Sequence, residues 1–214
     1  MNKKLMVVAG AAGLLLGGAV HAADIGVGVK AGTLGLGAEM TVGITDTLNG
    51  RLGFNSYKYK TSGTEGDVRY DIDLNLQTTA LLLDWHPTGG GFRVTAGYMI
   101  NGNKLDMRSQ ASDSLTIGGT TYTADIDLRG RVNFKDAPYV GIGWGNAAKR
   151  TGFGFNAELG AMYQGSPKLR LTGSCTGTCD GFDDALERER IKAQDDLSSY
   201  KWYPQIAIGV SYTF

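Results

Sequence analysis

Apolar and polar residues alternate one for one along most of this chain. The final segment, "KWYPQIAIGVSYTF", shows the pattern without a break. Trp202, Pro204, Ile206, Ile208, Val210, Tyr212 and Phe214 share one parity; Lys201, Tyr203, Gln205, Ala207, Gly209, Ser211 and Thr213 share the other. A period of two predicts a β-strand with different environments on its two faces. A soluble strand would turn charges toward water. Here the polar parity carries mostly small, neutral residues, and the apolar parity runs to the last residue.

The same alternation recurs upstream. "DIGVGVKAG" sets Ile25, Val27, Val29 and Ala31 against Gly26, Gly28 and Lys30. "TLGLGAEMTVGIT" sets Leu34, Leu36, Ala38, Met40, Val42 and Ile44 against glycines, Glu39 and Thr41, so the phase flips at a tight turn near Gly32. "NGRLGFNSYKYK" opposes Leu52 and Phe54 to Arg51, Gly53 and Asn55. In "DVRYDIDLNLQTTALLLDW", Val68, Tyr70, Ile72, Leu74 and Leu76 read as the outer face. The apolar run from Ala80 to Leu83 predicts a bulge or tight interior packing. "GFRVTAGYMI" and "GFGFNAELGAMYQ" each give one strand, and "TYTADIDLRGRVNFKDAPYVGIGWG" reads as one long strand with even-numbered residues outside.

Eight strands with one continuously apolar face each predict an all-β fold, an eight-stranded antiparallel transmembrane β-barrel. Lipid would meet the apolar faces, and closure of the ring would pair every backbone group, as a bilayer demands. Connections alternate in length. "TDTLN", "HPTGGG" and "GNAAKRT" are short, whereas residues 108–121 and 172–199 form long excursions. Short periplasmic turns and long extracellular loops have this arrangement, and an even strand count puts both termini in the periplasm. The excursion "CTGTCDGFDDALERERIKAQDDLSSY" spaces Phe182, Leu186, Ala193 and Leu197 as a short amphipathic helix, with Asp180 as its cap.

Composition sharpens this picture. "MNKK", an apolar run and "VHA" form a secretory leader over residues 1–22, leaving 23–214 as the barrel domain. Removing Lys3 and Lys4 takes 21 bases against 21 acids to 19 against 21, a net charge of −2 that argues against nucleic acid. The 33 glycines are spread through the strands and would thin the lumen wall. After export, Cys175 and Cys179 should form a local disulfide; no His lies near them to complete a metal site.

The chain from about Asp24 to Phe214 resembles the small eight-stranded outer-membrane barrels of Gram-negative bacteria: the OmpA transmembrane domain, OmpW-like and opacity-type proteins. "APYVGIGWG", "FNAELGAMYQGSP" and "YPQIAIGVSYTF" carry the likeness. It implies a protein without assigned activity, whose C-terminal Tyr212 and Phe214 are read by the barrel assembly machinery. It also implies a monomer that contacts outer-membrane lipid and lipopolysaccharide.

Candidate chemistry is sparse. "GVGVKAG" and "GIGWG" lack the βαβ context of dinucleotide binding. Enzymatic barrels use a His to activate a nucleophile or water; the chain beyond the leader has only His86, in a short turn beside Asp84. No cofactor or metal is expected. Lys30, Glu39, Arg51, Arg93 and Glu158 fall on inward parities and predict a charge network in the lumen. Eight strands leave an interior just wide enough for side chains. The expectation is a non-enzymatic envelope or surface-interaction protein. A narrow channel for small or apolar solutes is the alternative, and a lipid A-modifying enzyme the third reading.

Overall fold

The computed structural model describes residues 25–66, 68–112 and 114–214; the leader expected over 1–22 lies outside them. In chain order the strands are β1 (Ile25–Gly32), β2 (Gly35–Thr45), β3 (Leu48–Glu65), β4 (Val68–Trp85), β5 (Phe92–Asn101), β6 (Lys104–Ala111) and β7 (Leu115–Ile117). After these come β8 (Thr120–Tyr122), β9 (Ala124–Asn133), β10 (Ala137–Trp144), β11 (Gly152–Tyr163), β12 (Lys168–Gly177), helix α1 (Phe182–Leu197) and β13 (Trp202–Thr213).

An all-β antiparallel barrel forms, but the chain is not simply eight strands. Among the described residues there are thirteen, and eight of them close a ring in the order β1-β2-β3-β4-β5-β10-β11-β13, with β13 returning to β1. Closure leaves this ring no free edge. Outside it stand Val29, Leu36, Val140, Ile142, Phe155, Ile206 and Ile208, all exposed. Ile25, where the described residues begin, and Phe214 lie at one end of the ring with the β2–β3, β4–β5 and β10–β11 connections, and there the Phe214 amide donates to Ile25 O (3.0 Å).

At the other end the wall rises on one side only. β3 and β4 are eighteen residues each, and the lower half of β4 pairs β5 while its upper half pairs β6. β6, β9 and β12 continue from there as a sheet extension. The switch of partners is saturated locally: Gly102 N donates to Gln77 O (2.8 Å), and Gln77 N donates to Asn103 Oδ1 (2.8 Å).

The extension inverts the barrel's polarity, and the structure departs from the sequence reading along β4, at the β9–β10 segment and at Leu34. β4 runs past β3 with no register shift, so of the two readings of Ala80–Leu83 tight interior packing holds, with Ala80 and Leu82 buried, and the bulge does not; a shift lies instead at Gly43/Thr45 in β2. Even residues of β4 therefore point inward along its whole length, with Leu76, Thr78, Ala80, Leu82 and Asp84 buried. The face expected to be outside, Val68 to Leu76, lines the inner side of the extension. The long strand expected from Tyr122 to Trp144 breaks at residues 134–136. Its even residues are inward in β9, where Ile126 and Val132 are buried, and outward in β10, where Val140 and Ile142 are exposed. Leu34, expected outside, sits in the β1–β2 turn and tucks into the barrel mouth. Above the ring, Ile126, Val132 and Leu169 are buried on the extension's inner side, whereas Tyr57, Tyr59, Tyr70, Ile72 and Met107 stay partly open to solvent.

Helix α1 closes the far end. Phe182 and Ala185 pack with Ile117, Tyr122, Ala124 and Ile126. Its N-cap is Gly181, at φ 69°, with no side-chain cap, so Asp180 does not cap the helix as the sequence suggested. Gln194 accepts a hydrogen bond from Leu169 N (2.9 Å), which blunts the open edge of β12. The Cys175–Cys179 disulfide joins the end of β12 to the loop before α1. It encloses so short a loop that its entropic contribution is small. Replacing both cysteines by Ser should leave barrel unfolding in detergent unchanged and increase only the proteolytic cleavage of residues 175–199. A lowered barrel melting temperature would contradict this division.

Candidate functional site: the charged cluster in the barrel lumen

Inside the ring, above the end that holds Ile25 and Phe214, six charged side chains meet with almost no exposure: Lys30, Glu39, Arg51, Asp84, Arg93 and Glu158. Three bases face three acids, so the cluster is neutral in formal charge. The structure brings all five residues singled out in the sequence into one network.

Arg51 is its hub. Its Nε and Nη2 fork onto the Asp84 carboxylate (2.8 and 3.0 Å), Nη1 donates to Glu39 Oε2 (3.1 Å), and Nη2 also donates to Glu158 Oε2 (2.5 Å). Asp84 and Glu39 are on strands adjacent to β3. Glu158 is on β11, four strands away in either direction around an eight-strand ring. The Arg51–Glu158 bridge therefore crosses the lumen. Lys30 joins Glu39 (3.0 Å), and Arg93 joins Glu158 through Nη2 (2.8 Å). Bidentate guanidinium–carboxylate geometry suits such burial better than a point charge.

Small residues make the room. Gly143 of β10 lies opposite Arg93 on one side and Glu158 on the other, so Arg93 reaches Glu158 across a strand that has no side chain there. A Cβ at Gly143 would meet the Arg93 guanidinium at 3.0–3.1 Å and the Ala157 carbonyl at 2.7 Å. On the same strand Tyr139 donates to Glu158 Oε1 (2.7 Å), and its ring stacks over Gly141 and Gly160, where a Cβ would collide with it.

Layers above and below complete the filling. Above lie Leu34, Ala80, Leu82, Met99, Ala137, Tyr139 and Met162, all buried. Below, the 145–151 connection enters the barrel, and Thr213 Oγ1 donates to Ala147 O (3.0 Å). His86 is fully buried in this lower layer. Asn49 Nδ2 donates to its Nε2 (3.2 Å), leaving Nδ1–H to donate to Gly90 O (3.0 Å). Its neighbour Asp84 is committed to Arg51 and Thr95 (2.6 Å).

Two solved structures match this architecture along nearly their whole length. CarO2 of Acinetobacter baumannii has a TM-score of 0.60 at 24% identity, covering 89% of this chain and 98% of its own. CarO of the same organism has a TM-score of 0.59 at 24% identity, with the same coverage of 89% and 98%. The fold is that of the outer-membrane β-barrels. A major outer membrane protein of Thermus thermophilus matches more loosely, with a TM-score of 0.46 at 16% identity over 91% of this chain and 100% of that one. No family model and no curated protein matches the sequence.

The sequence reading missed Asp84 and Tyr139. Asp84 follows an apolar run that hides the strand's parity, so the sequence shows it only as a neighbour of His86. Tyr139 sits within an apolar-looking segment, although it is the one hydroxyl on an inward face otherwise made of Ala137, Gly141 and Gly143. Elsewhere, Tyr212 and Phe214 are outward and stack edge-to-face (5.2 Å), with Phe153 completing the row at 5.1 Å from Tyr212.

Two substitutions test the packing around Glu158. Tyr139→Phe removes a hydrogen bond to a buried carboxylate and should cost roughly 1.5–3 kcal/mol in urea unfolding. Gly143→Ala keeps every charge and should still cost about 1–3 kcal/mol, by overpacking. An unchanged unfolding midpoint for both would mean that the lumen is loose.

Proposed function

We propose that this protein is a non-enzymatic, integral outer-membrane β-barrel with a sealed lumen. It stands in the membrane as a monomer and presents its sheet extension and α1 at the cell surface, with both termini in the periplasm. Its role is envelope structure or surface interaction through that extension. The observation that carries this reading is the filled lumen: a buried, charge-balanced cluster bridging opposite walls, roofed by apolar side chains and floored by an inserted loop.

Supporting features point the same way. A ring clad in exposed Val, Ile, Leu and Phe is what lipid requires and what water opposes. β11 and β13, twelve residues each, run about 40 Å at the usual rise per residue, and at the roughly 45° tilt of such barrels they rise about 28 Å, enough for the apolar band. Both nitrogens of His86 are engaged within the fold, so it has no free lone pair to act as a base. The outward Tyr212–Phe214 row is the segment offered to the assembly machinery.

Planar-bilayer recording tests the seal. Wild-type protein should give no steady current, and Glu158→Ala, which breaks the bridge and vacates side-chain volume, should open a small conductance. Steady wild-type currents would instead support a channel for small solutes. Deleting Phe214 should lower the folded protein recovered from outer membranes several-fold while leaving refolding in detergent intact. Equal recovery in membranes would remove Phe214 from the assembly signal.

A further inference from the structure

The outward face of the extension carries its positive charge in graded rows. Registers across β3, β4, β6, β9 and β12 align five residues per row, and directly opposed residues share a face. The row nearest the barrel is Lys58, Asn75, Lys104, Asn133 and Lys168: three lysines, two neutral amides and no acid. The next row is Lys60, Asp73, Asp106, Arg131 and Arg170, in which Lys60 pairs Asp73 (2.6 Å) and Arg131 pairs Asp106. Beyond it, Arg108 and Arg129 both engage Asp127. Among the described residues, the bases of the farther rows are thus held by acids, Arg170 excepted, whereas the row beside the barrel has no acid to hold its lysines. Lys58, Lys104 and Lys168 are exposed, and among the described residues none of them makes an ion pair.

Position gives the row its meaning. β4 has no register shift, so the outward face bearing Asn75 is the same face that carries Leu81, Leu83 and Trp85 lower down. The lysines therefore stand directly above the apolar wall. The outward aromatics Tyr163 and Trp202, in edge-to-face contact (5.0 Å), stand at the top of that wall on β11 and β13. Lysines on alternate strands are about 10 Å apart at ordinary strand spacing. A surface meant only for water would gain nothing from three like charges in one row with no acid among them.

We propose that the Lys58–Lys104–Lys168 row binds the phosphorylated headgroup of the membrane lipid surrounding the barrel. The ligand carries phosphates at more than one point, each met by an ammonium group, with the Asn75 and Asn133 amides available to the sugar or glycerol between them. This rests on the membrane reading above, and it adds a lipid chemistry and a location to it. Lysines beside an anionic lipid surface are attracted additively, and salt screens the attraction.

The probe is a bis-phosphorylated glucosamine-disaccharide lipid, with its fully dephosphorylated form as comparator. Each is titrated into refolded protein in neutral detergent, and bound lipid is counted by native mass spectrometry. Wild type should retain the phosphorylated lipid on the order of tenfold more tightly, with the preference shrinking as salt rises. The triple variant Lys58→Gln, Lys104→Gln, Lys168→Gln should lose the preference. A control of equal charge change, Lys149→Gln, Arg150→Gln, Lys192→Gln, should keep it. An unaltered preference in the row variant, or an equal loss in the control, overturns the site. Insertion into neutral vesicles is scored separately. Protein that inserts but shows no phosphate preference defeats this inference alone, whereas protein that never inserts defeats the membrane reading and this inference with it.

Discussion

An arginine on β3 and a glutamate on β11 meet in the middle of the barrel, and the interior is arranged around that contact. Arg51 and Glu158 come from strands on opposite sides of an eight-strand ring, so their 2.5 Å bridge fixes the lumen's width at that height. Neither group could be buried alone. Removing one partner of a buried pair strands the other at a cost of roughly 3–5 kcal/mol. Asp84, Glu39, Lys30 and Arg93 bring the balance to three against three. Glycine at position 143 and Tyr139 between Gly141 and Gly160 are consequences of the same crowding. Such a cluster is weak evidence for stability, since apolar filling could serve as well or better. It specifies one way for the walls to face each other.

A second constraint acts along the strands. β4 runs unbroken from the ring into the extension, so its even residues stay inward throughout. Where the surroundings change from lipid to water, the hydrophobic set must change parity in the sequence, and it does: Leu81 and Leu83 are outward below, while Ile72 and Leu74 are inward above. β9 and β10 solve the same problem differently. Their apolar residues keep even parity, and the break at residues 134–136 turns the chain over. The lysine row stands where this reversal occurs.

These two devices explain what was legible in the sequence. β1, β2, β11 and β13 lie within the ring, where one parity means one environment, and their faces read correctly from alternation alone. The five network residues stood out because charges are rare on faces of Gly, Asn and Thr. β4 and the β9–β10 segment misled because alternation reports which residues are apolar, and not which solvent they avoid. Asp84 was obscured for that reason. The cross-lumen pairing depends on ring closure, which no local pattern encodes. α1 was visible from its apolar spacing, whereas its Gly181 N-cap depends on a left-handed backbone that Asp180 does not supply.

A filled lumen, an apolar outer wall and a charged extension all follow from how this chain partitions charge. The most direct measurement is a double-mutant cycle on Arg51→Met and Glu158→Gln, read from urea unfolding of the refolded barrel. A bridge that sets the lumen's width should give a coupling free energy of about 1–3 kcal/mol, with the double variant less damaged than the summed singles. Singles that add to within about 0.5 kcal/mol would mean that the two walls do not hold each other, and the lumen would have to be closed by something else.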